Sequence, residues 1–337
     1  MPDGFSITTF ASNVPNARQI ARGDNGTVFV GSRRVGSVYA VVDSDGDFIA
    51  DDVHIVAKDL FLPTGIAFHD GNLYVAEVNR VIAFDGIESR LTDPPSPRIV
   101  VDGLPSDKHH GWKFLGFGPD GHLYIPVGAP CNVCEVVDPY GTILQFNMQT
   151  KALQVYARGV RNSVGFDWHP LSKKMWFSDN GRDWMGDDVP GCELNRVDTP
   201  ESHFGFPFVH AVGIADDQFS MPDGLTDIVA PAKVLEAHVA PLGVMFYTGA
   251  QFPESYQNAL FVAEHGSWNR SKKSGYRIMV AHLDDAENVI SYRPFITGWK
   301  VGEANWGRPV DLQQLPDGSI LISDDYAGVI YRVQYSQ

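Results

Sequence analysis

Cysteine is scarce in this chain: Cys131, Cys134 and Cys192 are the whole complement among 337 residues. Three cysteines are too few for a disulfide scaffold. One close pair and a distant third make a poor zinc set. Glu135, not histidine, follows Cys131-Asn-Val-Cys134, which excludes c-type haem attachment. A short-range disulfide stapling a loop is the first reading of the pair, with free structural thiols and redox catalysis behind it. No stretch approaches the roughly 20 apolar residues that span a bilayer, so membrane insertion is not expected. Cations are also in short supply: Lys+Arg is 26 against Asp+Glu 41, a formal charge of −15. Such a surface repels phosphate backbones and anionic lipid, so nucleic acid is not an expected partner. There is no Walker loop and no GxSxG elbow. Gly116-Phe-Gly118-Pro-Asp-Gly121 matches GxGxxG but leads into a hairpin signal, so no helix N-terminus waits there for a pyrophosphate. The opening Met-Pro-Asp-Gly-Phe lacks a charged, apolar leader, consistent with a cytosolic chain or a mature form.

What the chain has is a repeat. Hydrophobic residues make up 44% of it, enough for a large core, yet no segment sustains helical periodicity. Short β-rich runs begin at residues 27, 72, 122, 175, 259 and 319, and the interval widens markedly only between the fourth and fifth. Four follow a tight-turn signal, Asn25-Gly26, Asp70-Gly71, Asp120-Gly121 and Asp317-Gly318. Each run has a strand candidate before it and one after it, and most units add a fourth. Six such units predict an all-β, six-bladed propeller of four-stranded antiparallel blades, residues 1–337 forming one domain. The sixth unit lacks an outer strand, and Phe5-Ser-Ile-Thr-Thr-Phe10 reads as the missing piece, closing the ring by pairing the termini. The wide interval places an insertion of about residues 198–232 on blade four.

Topology then gathers residues that are far apart in the chain. Loops that enter the innermost strands and loops that leave the second strands lie at one end of the ring. The first set carries Arg18, His109-His110-Gly-Trp-Lys113, Arg161-Asn162 and Trp306-Gly-Arg308. The second carries Gly31-Ser-Arg33, the cysteine pair, Asp179-Asn-Gly-Arg-Asp183 and Glu264-His-Gly-Ser-Trp-Asn-Arg270. An acidic protein thus concentrates Arg18, His110, Arg161, His265 and Arg308 around one mouth. Like charges brought together repel, and desolvating them is costly, so an anionic ligand offsets both. Arginine forks suit carboxylates. The plainer alternative for any single arginine is a neighbouring carboxylate such as Asp311 or Asp167. His110 is the candidate proton-transfer group, with His109 as its neighbour and alternative. Trp112, Trp184, Trp268 and Trp306 offer aromatic surface for stacking a sugar or for a protein interface. The 179–183 loop, followed by Asp187, Asp188 and Glu193, has oxygen donors of the kind calcium prefers, with a solvated acidic loop as the equal alternative. Asp43-Ser-Asp-Gly-Asp47 with Asp51-Asp52 is a second acidic loop of that type, though its glycine is misplaced for an EF-hand and a polar turn is the plainer reading.

Several of these stretches, in this order, resemble the pyrroloquinoline quinone (PQQ)-dependent sugar dehydrogenases. They are His109-His110-Gly-Trp-Lys113 ahead of Gly118-Pro-Asp-Gly121, Gly159-Val-Arg161-Asn162-Ser-Val-Gly165, Asp179 to Asn195, and Arg308 before Asp311. The Glu264-His-Gly-Ser-Trp-Asn-Arg270 pattern is similar to the sorbosone dehydrogenase-like and fungal pyranose dehydrogenase branch. The resemblance implies His110 as the general base that takes the substrate hydroxyl proton as hydride passes to the quinone. It implies Arg161, Asn162 and Arg308 as holders of the PQQ carboxylates and quinone oxygens, with Arg18, His265, Trp268 and Asn269 lining the same site. It implies Ca²⁺ on the main-chain carbonyls of Gly181 and Arg182. The substrate would be a sugar, sugar aldehyde or related alcohol. Electrons would leave to a separate cytochrome or quinone, outside the cytoplasm, in the periplasm or as a secreted protein.

One departure stands out. Where soluble glucose dehydrogenases of this group carry an aspartate near the catalytic histidine, this chain has Ala129, so another group must orient His110. Two other functions share the fold: a calcium-dependent lactonase, which needs metal-ligating carboxylates in the channel, and a non-catalytic binding propeller.

Overall fold

The computed structural model describes residues 1–336. Six four-stranded antiparallel sheets are arranged as propeller blades, as the repeat predicts. Blade two shows the pattern: Gly65–His69, Asn72–Ala76, Val81–Phe84 and Arg98–Val101 run from the channel outward, each paired to the next. The turn glycines behind the repeat adopt positive φ, 97° at Gly26, 74° at Gly71 and Gly121, and 86° at Gly318. Only glycine takes such angles at little cost, which is why the signal was periodic.

Strand alternation builds the core. Val28 and Val30 enter the cluster shared with blade six, containing Leu321 and Ile330. Phe29, between them, points the other way into the cluster shared with Ile66, Leu73 and Val75 of blade two. The same division repeats at Leu123 and Ile125 against Tyr124. Each sheet therefore buries both faces, and the apolar mass lies between blades. Side chains join the inner strands of neighbouring blades. Gln19 Oε1 accepts from Ile66 N at 3.0 Å and Leu115 N at 2.9 Å. Asp167 accepts from Phe246 N at 2.7 Å, and Asp311 from Ile20 N at 2.9 Å. These two carboxylates are thus held by backbone N–H groups of the next blade and pair with none of the arginines.

Blade six comprises Pro309–Gln314, Ile320–Asp324, Val329–Tyr335 and the N-terminal Phe5–Ala11. Phe5 faces Tyr335, Ile7 faces Val333 and Thr9 faces Tyr331, so the termini close the ring. Residues 197–232 join the third and fourth strands of blade four and carry a small hairpin, Val209–His210 with Ile214–Ala215. This segment braces the top of the blade from outside. Ala211 N donates to Glu193 at 2.7 Å, and Asp216 binds both Arg182 and His210. No helix among the described residues is long and apolar enough to cross a membrane.

Candidate active site

The two loop sets meet at one mouth, around a cavity of about 480 Å³. Arg18, His110, Arg161, Asn162, Gly181, His265, Trp268, Asn269 and Arg308 all line it, and so do Arg33, Arg34, His109, Trp112 and Asp183. The side chains of Arg182 and Trp306, both singled out by sequence, are directed elsewhere. Arg182 turns its guanidinium outward to Asp216 and Asp217. Trp306 follows a hairpin of Lys300–Val301 and Ala304–Asn305, which carries its indole away to Trp299 and bonds Nε1 to Gly298 O at 2.7 Å.

His110 is buried and sits in left-handed backbone, φ 48°. Its Nδ1 lies 2.9 Å from Ala129 O. A carbonyl oxygen only accepts, so Nδ1 carries the hydrogen and Nε2 keeps its lone pair. The main chain of Ala129 thus does the orienting that a carboxylate would otherwise do. Burial, then the nearby Arg161 and His109, hold the imidazole well below its ordinary 6.5, so it is neutral at physiological pH. Gly128 is required behind it: a Cβ there would lie 2.6 Å from His110 Cβ and 2.8 Å from its carbonyl oxygen. Trp112 stands edge-on to His110 with ring centroids 6.0 Å apart, and the Arg33 guanidinium lies 3.9 Å from the Trp112 centroid.

The Arg161-Asn162 turn is fixed from below. Asp179 accepts Arg161 N at 2.8 Å and Asn162 N at 2.6 Å, so one carboxylate sets both residues' backbone. The Arg161 fork is held by Asn132: Nε donates to its carbonyl and Nη2 to its Oδ1, each at 2.8 Å. Across the cavity, Asp325 bridges His265 Nε2 at 2.8 Å and Arg18 Nη1 at 2.9 Å. Burial alone would raise Asp325, but His265 and Arg18 outweigh it and hold the carboxylate far below its usual range. Burial, only partly offset by Asp325, brings His265 down to about 4, so its ring is neutral. Arg308 Nε donates to His265 O at 3.1 Å and Nη2 to Gly266 O. No carboxylate pairs with Arg308, Arg33 or Arg34 among the described residues, and burial, then Arg18, lower Arg33 to about 10.

The charge pattern follows. Arg18 is balanced by Asp325 and Arg161 by Asp183, whereas Arg33, Arg34 and Arg308 are not balanced. Two buried amide oxygens, Asn162 Oδ1 and Asn269 Oδ1, have no hydrogen-bond partner among the described residues, and both residues line the cavity. A buried acceptor left unmade is costly, so this wall fits a ligand with donors or a bound cation as well as anionic groups. At the rim, Trp184 and Trp268 are exposed and meet edge-to-face at 5.5 Å.

Sequence reasoning missed Asp325 and Asn132. Asp325 lies just beyond the second strand of blade six, so the loop rule that selected the others would have found it. Asn132 sits between the cysteines, and nothing in its sequence context shows that its side chain reaches Arg161. Cys131 and Cys134 do form a disulfide, and Cys192 is a buried free thiol. The Asp43, Asp45 and Asp51 carboxylates cluster at the opposite end of blade one, but Asp43 and Asp45 are engaged by the loop's own N–H groups and Asp51 by Ser44.

Comparison with known proteins bears on this site. An uncharacterized protein of Borreliella burgdorferi is 35% identical over 353 aligned positions, spanning 100% of this chain and 91% of that protein. A PQQ-dependent sugar dehydrogenase of Hypocrea jecorina is 24% identical, covering 79% of this chain and 72% of its own length. Among solved structures, a Trichoderma reesei carbohydrate-active enzyme of family AA12 superposes with a TM-score of 0.86 at 22% identity, over 99% of this chain and 97% of that one. The holo PQQ domain of Coprinopsis cinerea pyranose dehydrogenase gives 0.82 at 17% identity, over 99% and 96%. The profile of the family described as TrAA12-like matches residues 1–336, and this chain belongs to that family.

Proposed function

We propose that the protein is a PQQ-dependent oxidoreductase that oxidises a sugar, sugar aldehyde or related alcohol. The observation that carries the reading is the mouth itself: three guanidiniums without carboxylate partners and two orphaned amide oxygens, in a protein of net charge −15. The sugar dehydrogenases among its relatives support it. PQQ bears three carboxylates, which fits this donor set. Arg308, Arg161 and Arg18 would hold the carboxylates, with Arg33 added to that set, while Asn162, His265 and Asn269 complete the wall. Ca²⁺ would sit on the main-chain carbonyls of Gly181 and Arg182, of which Gly181 faces the cavity; hard oxygen donors suit that ion. When bound, the quinone would supply the two-electron oxidising power.

The remaining chemistry belongs to the chain. His110 is neutral, anchored at Nδ1 and open at Nε2, so it accepts the substrate hydroxyl proton there. His109, more exposed and without such an anchor, is the weaker candidate. Trp112 and the Trp184–Trp268 pair offer faces on which a sugar ring stacks. Release of electrons to a separate cytochrome or quinone, and a place in the periplasm or outside the cell, belong to the same proposal. The test is reconstitution. Apoprotein given PQQ and Ca²⁺ should reduce an artificial dye when supplied with aldoses or sorbosone. Dye reduction that does not depend on PQQ, or none with any sugar or alcohol of a broad panel, would overturn the reading.

A further inference from the structure

The disulfide lies beside the densest hydrogen-bonded part of the site. Asn132, the residue after Cys131, makes contacts in three directions. Its carbonyl and Oδ1 take Nε and Nη2 of Arg161, both at 2.8 Å. The same Oδ1 accepts Asp183 N at 2.8 Å, and Nδ2 donates to Asp183 O at 3.0 Å. These partners fix the amide's orientation, because only oxygen can accept from both Arg161 and the Asp183 N–H. Asp183 passes the constraint on: its Oδ1 accepts Asn269 Nδ2 at 2.6 Å, and its Oδ2 lies 3.4 Å from Arg161 Nη2. One side chain on blade three thereby sets the guanidinium of blade four and, through Asp183, an amide of blade five.

Asn132 itself stands on a loop with little else to hold it. Residues 128–137 form no strand, and 131–134 are half-exposed. The Cys131–Cys134 bond closes a ring of four residues around Asn132 and Val133. A free loop would have to be ordered each time Arg161 was presented to a ligand, and that ordering would weaken binding.

We propose that Asn132 is a positioning residue for cofactor binding, held in place by the Cys131–Cys134 disulfide, so that affinity for the cofactor depends on the redox state of that bond. The inference rests on the PQQ reading above for the identity of the ligand, but not for the clamp. Reduction is a two-electron step: a dithiol gives two electrons and two protons, the S–S bond opens to two thiols, and the dithiol closes its own disulfide. Both cysteines are half-exposed, so a reductant reaches them.

The experiment has two arms. In the first, hydrogen exchange is measured without cofactor on wild type, on wild type reduced with dithiothreitol, on Asn132→Ala and on Cys131→Ser/Cys134→Ser. The clamp predicts faster exchange in the 159–163 and 180–184 segments in all three perturbed forms, with the blade strands unchanged. In the second, PQQ is titrated by fluorescence quenching. Asn132→Ala should bind roughly tenfold or more weakly. The reduced form, freed of dithiothreitol before PQQ is added, and the double-serine form should bind about three- to tenfold more weakly, and the same treatment should have no further effect on the latter. At saturating PQQ, turnover of Asn132→Ala should stay within about threefold of wild type, because Ala129 O still holds His110. Unchanged exchange and unchanged affinity after thiol titration confirms reduction would overturn the proposal. If Asn132→Ala fails to fold, the dithiothreitol comparison on wild type decides. If wild type itself binds no PQQ, the functional reading fails, and the exchange arm still decides the clamp.

Discussion

Replacing His110 by alanine isolates the proton-transfer step. Among the described residues the side chain's only hydrogen bond is Nδ1 to Ala129 O, on its own blade, and the arginines are held by other groups. Its removal therefore leaves the anionic-ligand wall standing. A positioned general base contributes about 10²–10⁴-fold, or about 2.7–5.4 kcal/mol of barrier. Cofactor affinity should change by less than about threefold, or ~0.7 kcal/mol. The pH dependence carries the same information. Burial and Arg161 lower the imidazole well below 6.5, so the base is already neutral there, and wild-type kcat/KM should fall only at pH values clearly below 6.5. The alanine variant should lose that acid limb together with its rate. The assay is dye-coupled turnover of reconstituted enzyme across pH, with PQQ affinity measured separately by titration. A loss below about tenfold, or a loss explained wholly by weaker PQQ binding, would refute the assignment; a matching loss in His109→Ala alone would move the base by one residue.

Three further outcomes follow from the same geometry. Arg308→Ala removes a guanidinium that has no carboxylate partner, so PQQ should bind roughly 10- to 150-fold more weakly, as expected for a charge-assisted bond. Titration gives the value, and an unchanged Kd would place the carboxylates elsewhere. Gly128→Ala drives a methyl group into His110 and should lower kcat by roughly ten- to a hundredfold with a smaller effect on PQQ affinity; normal turnover would mean that His110 does not need its present position. Burial, and for Glu193 the neighbouring Asp179 as well, push both carboxyls above their ordinary range. The folded state therefore retains protons that the unfolded state has lost, and stability falls as pH rises above the ordinary values of 3.8 and 4.5. In calorimetry, Glu193→Gln should show a shallower loss of Tm over that range than wild type, and equal slopes would contradict it.

The ring was legible because its signals are local. Asp-Gly and Asn-Gly turns before apolar runs mark each inner hairpin, and Phe5-Ser-Ile-Thr-Thr-Phe10 had no other strand to pair with than the one before Gln337. Cavity membership was legible for Arg18, His110, Arg161, Asn162, His265, Asn269 and Arg308, because loop position alone places a residue at one end of a propeller. Side-chain direction is another matter. Trp306 occupies an entering loop, yet a preceding hairpin turns it onto Trp299. Arg182 neighbours Gly181 but finds Asp216, a partner from an inserted segment whose course the sequence does not reveal. The groups that hold the site were the hardest to see. Asn132 and Ala129 act through a loop carbonyl and an amide, and Asp325 through one bidentate bridge; none belongs to a pattern with a fixed spacing.

The most direct test of the account is a calorimetric titration of PQQ into the purified chain in the presence of Ca²⁺, followed by an absorption spectrum with and without an aldose. The account predicts saturable binding of one PQQ per chain at micromolar concentration or below, competed by other polycarboxylates at high concentration, and a spectral change on adding sugar that Arg308→Ala shifts to higher PQQ. Heat no greater than dilution across that range, with a folded protein in the cell, would contradict the central claim that this mouth is built for a tricarboxylate quinone.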